Sequence, residues 1–395
     1  MILLAQVKVI DAVCATGKTT SIINKINKSA PEEKFIYITP FLTEVQRIKE
    51  SCISKNFYEP KKMGTKIKGI KQLIKKGHNI VSTHALFSHF DQETIELAYL
   101  NNYTLILDEV ANVVEPVNIS QSDLKLILEN CATVEPDGKL VWYATDYKGE
   151  FEKYKRLCDL ESLMVCNNAV FLWMFPISVF KAFKEVYILT YMFDAQLQSY
   201  YYKYYNVQWE NLYVKNFEIT DEPQDYDIYK YKKHINIYEN KDGNAIGDLN
   251  YTLSASWYKR NGEQTDSPLF NELKKKCVNY FHYMKTPSSK NMWTCYKDYR
   301  ERIAGDGYKK GFVSLGSRAT NMYIDKVSLA YLANIYLNPY IAQFFNSKGV
   351  KVNEDLYALS ELLQWIFRSA VREEQDINIF VPSQRMRELL KGWEK

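Results

Sequence analysis

The stretch Val7-Lys8-Val9-Ile10-Asp11-Ala12-Val13-Cys14-Ala15-Thr16-Gly17-Lys18-Thr19-Thr20 joins a short β-branched run to a segment with helical character. The spacing predicts a strand over Val7 to Ile10, a loop, and a helix from Lys18 to about Lys28. Within it, Ala12 to Thr19 fits the pattern [AG]xxxxGK[ST]. Successive backbone N–H groups at a helix N-terminus wrap an anion, a lysine there reaches the β- and γ-phosphates, and a hydroxyl ligates magnesium. Average residue usage produces such an octapeptide by chance in roughly a few chains of this length in a hundred. Ala12, Ala15, Thr16, Gly17, Lys18, Thr19 and Thr20 are therefore the candidate triphosphate cradle.

Outward from this loop, short β-branched runs alternate with helical patterns, as in a parallel sheet covered by helices. Further strands are expected at Phe35 to Ile38, Asn79 to Val81, Thr104 to Leu107 and Val186 to Leu189, with a helix over Phe41 to Ser51. Their carboxyl ends carry Thr39-Pro40, Ser82-Thr83-His84, Asp108-Glu109 and Thr190. In an open α/β sheet, ligands bind beyond those ends. The segment between Glu109 and Val186 is too long for a connection and reads as an insertion over about 115–175. In the second half, strands are expected at Ile235 to Tyr238, Met292 to Cys295, Gly311 to Leu315 and Ile377 to Val381. Helices are expected there at Leu273 to Met284, Leu329 to Phe345, Leu356 to Val371 and Ser383 to Trp393.

Length and composition agree with this layout. At 395 residues the chain suits two domains, divided here as 1–200 and 201–395. With 46% hydrophobic and 25% charged residues it is globular. No run approaches the roughly 18 apolar residues of a membrane span, and Met1 to Ile10 reads as a buried strand rather than a signal peptide. Seven scattered cysteines without a CxxC pair give no disulfide framework or zinc site, and a reducing, cytoplasmic setting is expected. The net charge of +4 neither requires nor excludes a nucleic-acid partner. The run Ser199-Tyr200-Tyr201-Tyr202-Lys203-Tyr204-Tyr205 offers rings for base stacking, but such tyrosines more often pack.

Two further groups carry chemistry. Asp108 and Glu109 end an apolar strand: a hard cation takes carboxylate oxygen, and phosphoryl transfer to water takes a positioned base. Asp108 suits the first role and Glu109 the second. Gln364, Arg368 and Arg372 follow at i, i+4 and i+8, so a continuous helix would present all three on one face. An arginine delivered across a cleft stabilises charge on a transferring phosphoryl group; the alternative is a solvated basic stripe paired with Glu373 and Glu374.

Together these motifs resemble the superfamily 2 helicases and translocases, in particular phage-type DEAD/DEAH-like ones. Ala12 to Thr19 resembles motif I, Ile38 to Phe41 motif Ia, and Ser82 to His84 motif Ib. Asp108 to Ala111 is similar to motif II and Leu189-Thr190 to motif III. Asn291 to Lys297, Gly316 to Asn321 and Gln364 to Arg372 are similar to motifs IV, V and VI. The resemblance implies two tandem RecA-like domains around a cleft, with ATP on Lys18, Glu109 as catalytic base, magnesium on Thr19 and Asp108, and Arg368 or Arg372 as finger. It further implies contacts to one DNA strand, less readily RNA, from Thr39, Pro40, Thr83, His84, Thr294 and Arg318. A monomer or weak oligomer with possible protein partners would follow.

The chain departs from that pattern at Ala15, where Gly is usual, at Ala111, where Asp or His is usual, and at Tyr191-Met192, which replaces a small residue and a hydroxyl. Arg372 falls one residue late, which favours Arg368. Only Met1 to Asp11 precede the loop, so no glutamine motif for adenine is expected. Rival readings are a packaging or restriction-type ATPase that moves or clamps duplex, and a P-loop small-molecule kinase.

Overall fold

The computed structural model describes residues 6–167, 169–316 and 321–393. Arg318, expected to contact nucleic acid, lies outside the described residues. The chain divides into two units: Thr16–Gln224 with Asn338–Val352 and the residues up to Ala12, and Val13–Ala15 with Asp225–Leu337 and the residues from Asn353 on. The first unit therefore runs past residue 200 and takes in a later helix, Pro339–Ser347.

The first unit is built on β1 (Gln6–Asp11), β2 (Lys34–Thr39), β3 (Phe57–Tyr58), β4 (Asn79–Thr83) and β5 (Tyr103–Asp108). Next come the insertion strands β6 (Val114–Pro116), β7 (Ala132–Val134), β8 (Leu140–Trp142), β9 (Leu163–Cys166) and β10 (Val170–Met174). β11 (Glu185–Thr190), β12 (Trp209–Lys215) and β13 (Glu218–Thr220) complete it. The main sheet has the order β13-β12-β1-β11-β5-β2-β4-β3. All its pairings are parallel except β12 with β13, a hairpin at the edge. Its central strands are apolar on both faces, as a sheet covered by helices on both sides requires. Phe35, Tyr37, Val81, Ile106 and Leu189 share one core with Ile22, Ile23 and Ile26 of the helix Lys18–Lys28.

Register places the polar strand ends along one edge. Asp11 lies opposite Thr190, Leu189 opposite Asp108, Ile38 opposite Leu107, and Thr39 opposite Thr83. The insertion has its own three-stranded sheet, β6-β10-β9, a small β7-β8 pair, and a core around Leu124, Ile127, Leu140 and Phe171. The tyrosine run forms the helix Leu197–Tyr204 with Tyr200, Tyr201 and Tyr202 buried. Those rings pack, and Tyr201 hydroxyl donates to the Phe175 carbonyl at 2.6 Å.

The second unit has a four-stranded, all-parallel sheet of β14 (Ile235–Ile237), β15 (Asn291–Thr294), β16 (Ser328–Tyr331) and β17 (Ile377–Phe380), in the order β14-β17-β16-β15. Three expectations are corrected here. Leu329 to Tyr331 is a buried central strand and not the start of a helix. An apolar run of this kind carries no period that separates buried strand from buried helix, and the helix starts only where Pro339 takes its first turn and Asn338 accepts from the Tyr340 N–H. Gly311 to Leu315 is not a strand; it keeps one bridge, Phe312 to Trp293, after a single 3₁₀ turn.

The third correction concerns the arginine face. The helix Glu354–Ile366 stops before Arg368, and a separate 3₁₀ turn spans Ala370–Glu373. Ser369 hydroxyl donates to the Ile366 carbonyl at 2.7 Å, which competes with continuation of the helical ladder. Gln364, Arg368 and Arg372 thus do not share one helical face.

Candidate nucleotide site

The phosphate-type loop leaves β1 and enters the helix at Lys18, as the motif demands. Gly17 caps that helix with φ 88°, and Ala15 also lies in the left-handed region at φ 70°. Such a conformation costs a residue with a Cβ about 1–2 kcal/mol, so the glycine usual at position 15 is replaced at an energetic cost. Lys18 Nζ donates to the Ala12 carbonyl at 2.6 Å and so arches back over its own loop.

Two strands along from β1, β5 ends at Asp108, about 10 Å away by strand spacing. The helix from Lys18 bridges that interval. Thr19 hydroxyl lies 3.5 Å from Asp108 Oδ1, and Tyr37 hydroxyl donates to Oδ2 at 3.2 Å. Enclosure of the carboxyl and the neighbouring Glu109 push Asp108 up to about 7, against the opposing influence of Arg47. This is a carboxylate in want of positive charge. The donors fit magnesium, a hard cation that takes one or two protein carboxylates and completes its shell on phosphate and water. Among the described residues no cluster of three or more His, Cys, Asp or Glu side chains could hold a metal by itself.

Glu109 sits just beyond the strand with φ 72°, its N–H bonded to the Leu189 carbonyl at 2.9 Å. A left-handed glutamate is uncommon and aims the side chain off the line of the strand. Thr190, at the end of the intervening strand, is fully buried, and its hydroxyl has no hydrogen-bond partner among the described residues. Such an orphan costs about 1–3 kcal/mol.

Four residues escaped the sequence reading. Tyr37 and Arg47 act on Asp108 from the second strand and its following helix. Asp11 accepts N–H bonds from Met192 and Phe193, both at 2.8 Å, and so fixes Met192 at φ 57°. Burial, opposed by those two bonds, raises Asp11 above the ordinary carboxylate range. Gln198 Oε1 accepts the Ala111 N–H at 2.8 Å, which anchors the turn after Glu109 by its backbone where the helicase pattern would use a side chain. Only Asp11, adjoining the loop, carried any local signal.

The expected strand-gripping residues are less uniform. Thr83 and His84 are partly exposed. His84 Nε2 lies 3.0 Å from the Asp108 carbonyl, which can only accept, so that nitrogen carries the proton. Pro40 is partly exposed, whereas Thr39 and Thr294 are completely buried, their hydroxyls without hydrogen-bond partners among the described residues. In the second unit Arg368 is 3% exposed and Arg372 is half-buried.

Residues 114–173 match the family model of the YonV middle domain, and residues 229–394 that of the YonV C-terminal Rossmann-like domain. The chain is 42% identical over 409 residues to the SPbeta prophage-derived uncharacterized protein YonV of Bacillus subtilis (strain 168), over 98% of each chain. The chain belongs to the YonV family. The middle-domain match coincides with the insertion from β6 to β10, and the Rossmann-like match with the second, parallel sheet. Among solved structures, that of the DUF1998 helicase MrfA bound to DNA and AMPPNP aligns at a TM-score of 0.35 and 11% identity, over 98% of this chain and 47% of that one. This chain thus spans about half the length of that helicase. No helix among the described residues is long and apolar enough to cross a membrane.

Proposed function

We propose that the chain binds and hydrolyses ATP at the edge of its first sheet and couples this to movement along nucleic acid, as a helicase or translocase. The observation that carries the reading is the meeting of Thr19 with Asp108 across two strand intervals, directly beside a left-handed glycine, a lysine and a helix N-terminus. A helix start alone binds many anions; a hydroxyl and a buried carboxylate beside it suit a metal-bound polyphosphate.

In this reading Lys18 leaves the Ala12 carbonyl for the phosphates, and the N–H groups from Gly17 onward hold them. Thr19 and Asp108 would hold a magnesium ion, which supplies positive charge to the phosphate oxygens. Glu109 orients the attacking water and takes its proton. Tyr37 fixes the rotamer of Asp108, and Gln198 fixes the turn that aims Glu109. Thr83, Pro40 and His84 offer an accessible edge to a nucleic-acid backbone, and Arg372 or Arg368 is the candidate arginine finger.

The alternative is an ATPase that clamps or moves duplex without unwinding it. Hydrolysis measured with and without single-stranded DNA, duplex and forked DNA separates these. Stimulation by single strands with strand displacement supports the helicase; stimulation by duplex alone supports the clamp. Hydrolysis indifferent to every nucleic acid overturns both.

A further inference from the structure

Beside the phosphate-type loop stands an aromatic side chain that no role above uses. β12 and β13 are joined by Asn216 and Phe217, with Lys215 paired to Glu218. Asn216 has φ 51° and Phe217 φ 61°, so both central residues of this two-residue turn are left-handed, as in a type I′ hairpin. Asparagine is a usual first residue there. The second position ordinarily takes glycine, and a bulky aromatic at positive φ is an outlier.

The strained ring is not buried. Phe217 is 55% exposed, so packing does not explain its choice over glycine. Its ring edge instead lies against the loop: a Cβ built on Gly17 would meet Phe217 Cδ1 at 2.5 Å and Cε1 at 2.7 Å. The hairpin is tied to the same helix that the loop opens. Asn24 Nδ2 donates to the Phe217 carbonyl at 3.1 Å, and Lys28 pairs with Glu218 at 2.6 Å. Val214 joins the core beneath, and Ile219 packs against it. A rigid hairpin thus carries an exposed aromatic ring to the cap of the phosphate-binding helix.

We propose that Phe217 is the stacking platform for the base of the bound nucleotide, resting on the reading of the loop as a triphosphate site. A ring with an open face gains from any base π-system. It discriminates weakly among bases, so purine nucleotides should bind alike.

The test compares ATP, GTP and inorganic tripolyphosphate on the full chain, by calorimetry, for wild type, Phe217→Ala, Phe217→Gly and Phe217→Trp. Stacking predicts that Phe217→Ala and Phe217→Gly weaken ATP and GTP by roughly tenfold or more, leave tripolyphosphate unchanged, and that Phe217→Trp retains nucleotide affinity. Phe217→Gly should at the same time raise the melting temperature, since it relieves the left-handed strain. Loss of nucleotide affinity together with a gain in stability is a pairing that a structural role for the ring does not produce. Unchanged ATP affinity in Phe217→Ala overturns the proposal while leaving the triphosphate site standing, as does tighter tripolyphosphate binding, which would make the ring a plug. Absence of ATP and tripolyphosphate binding in the wild type overturns the site itself.

Discussion

Thr19 and Asp108, 89 positions apart in sequence, bring a hydroxyl and a carboxylate oxygen to 3.5 Å at the edge of the first sheet. Neither residue type is unusual at a helix start or a strand end. Their convergence depends on β11 lying between β1 and β5, so that the helix opened by the loop reaches across to the end of β5. Thr19→Ala and Asp108→Asn are expected to abolish the gain in ATP affinity on adding magnesium, while metal-free binding through Lys18 and the loop amides persists. Calorimetry with and without the metal checks this. An undiminished magnesium effect in both variants would remove the assigned ligands.

In the proposed function Glu109 acts on water rather than on the metal. Its left-handed backbone, held by the Leu189 carbonyl, turns it away from the strand that carries Asp108. Glu109→Gln should bind ATP as the wild type does and hydrolyse it about 10²–10⁴-fold more slowly. Single-turnover phosphate release beside a binding isotherm separates the two effects. Parallel loss of binding would point to a ligand or structural role instead.

The strand, turn and helix start from Val7 to Thr20 were legible because all three are written in consecutive residues. The strand ends Thr39, Thr83, Asp108 and Thr190 were legible for the same reason. Tyr37, Gln198 and Phe217 were not, since each meets the site only through the order of the sheet. Tyr37 reads as one more core residue of a strand until β2 is seen beside β5. Leu329 to Tyr331 was misread because a fully buried strand loses the alternation that marks a half-exposed one. The arginine face failed because spacing assumes a helix that Ser369 and the turn at Ala370 interrupt.

Ala15 offers a test of the loop's strain. At φ 70° its Cβ costs about 1–2 kcal/mol, whereas glycine costs about 0.5–1 kcal/mol in unfolded-chain entropy. The strain term is the larger, so Ala15→Gly should stabilise the protein, by about 0.5–1 kcal/mol. Chemical denaturation of the two proteins measures it. A destabilised variant would mean that the left-handed turn is not the resting conformation of the loop.

Lys8 and Glu185 tie the loop strand to β11 through a 2.7 Å ion pair, largely shielded from solvent. Burial tends to raise Glu185, but the Lys8 hydrogen bond and charge outweigh it and hold the carboxyl below 4.5. A carboxylate with a depressed folded value contributes stability above its unfolded value and loses it as pH falls through the folded one. Glu185→Gln should therefore be less stable than wild type by about 1 kcal/mol at neutral pH, and the gap should shrink as pH falls below the ordinary glutamate value and close once it is below the depressed folded one. Thermal melts across that range decide it; a gap that persists in acid would trace to packing rather than charge.

The two arginines of the second unit should separate by burial. Arg368 is 3% exposed just past the end of its helix, and truncating a large buried side chain typically costs about 2–5 kcal/mol through the cavity it leaves. Arg368→Ala is expected to lower the melting temperature of the protein, with hydrolysis falling as a consequence of lost structure. Arg372 is half-buried in a surface turn. Arg372→Ala should melt as the wild type does, and if this residue reaches the transferring phosphoryl group its hydrolysis rate should fall about 10³-fold or more. Paired melting curves and steady-state rates distinguish the roles. A stable Arg368→Ala protein with a selectively slowed rate would return the finger to Arg368 and require that side chain to leave its buried position during turnover.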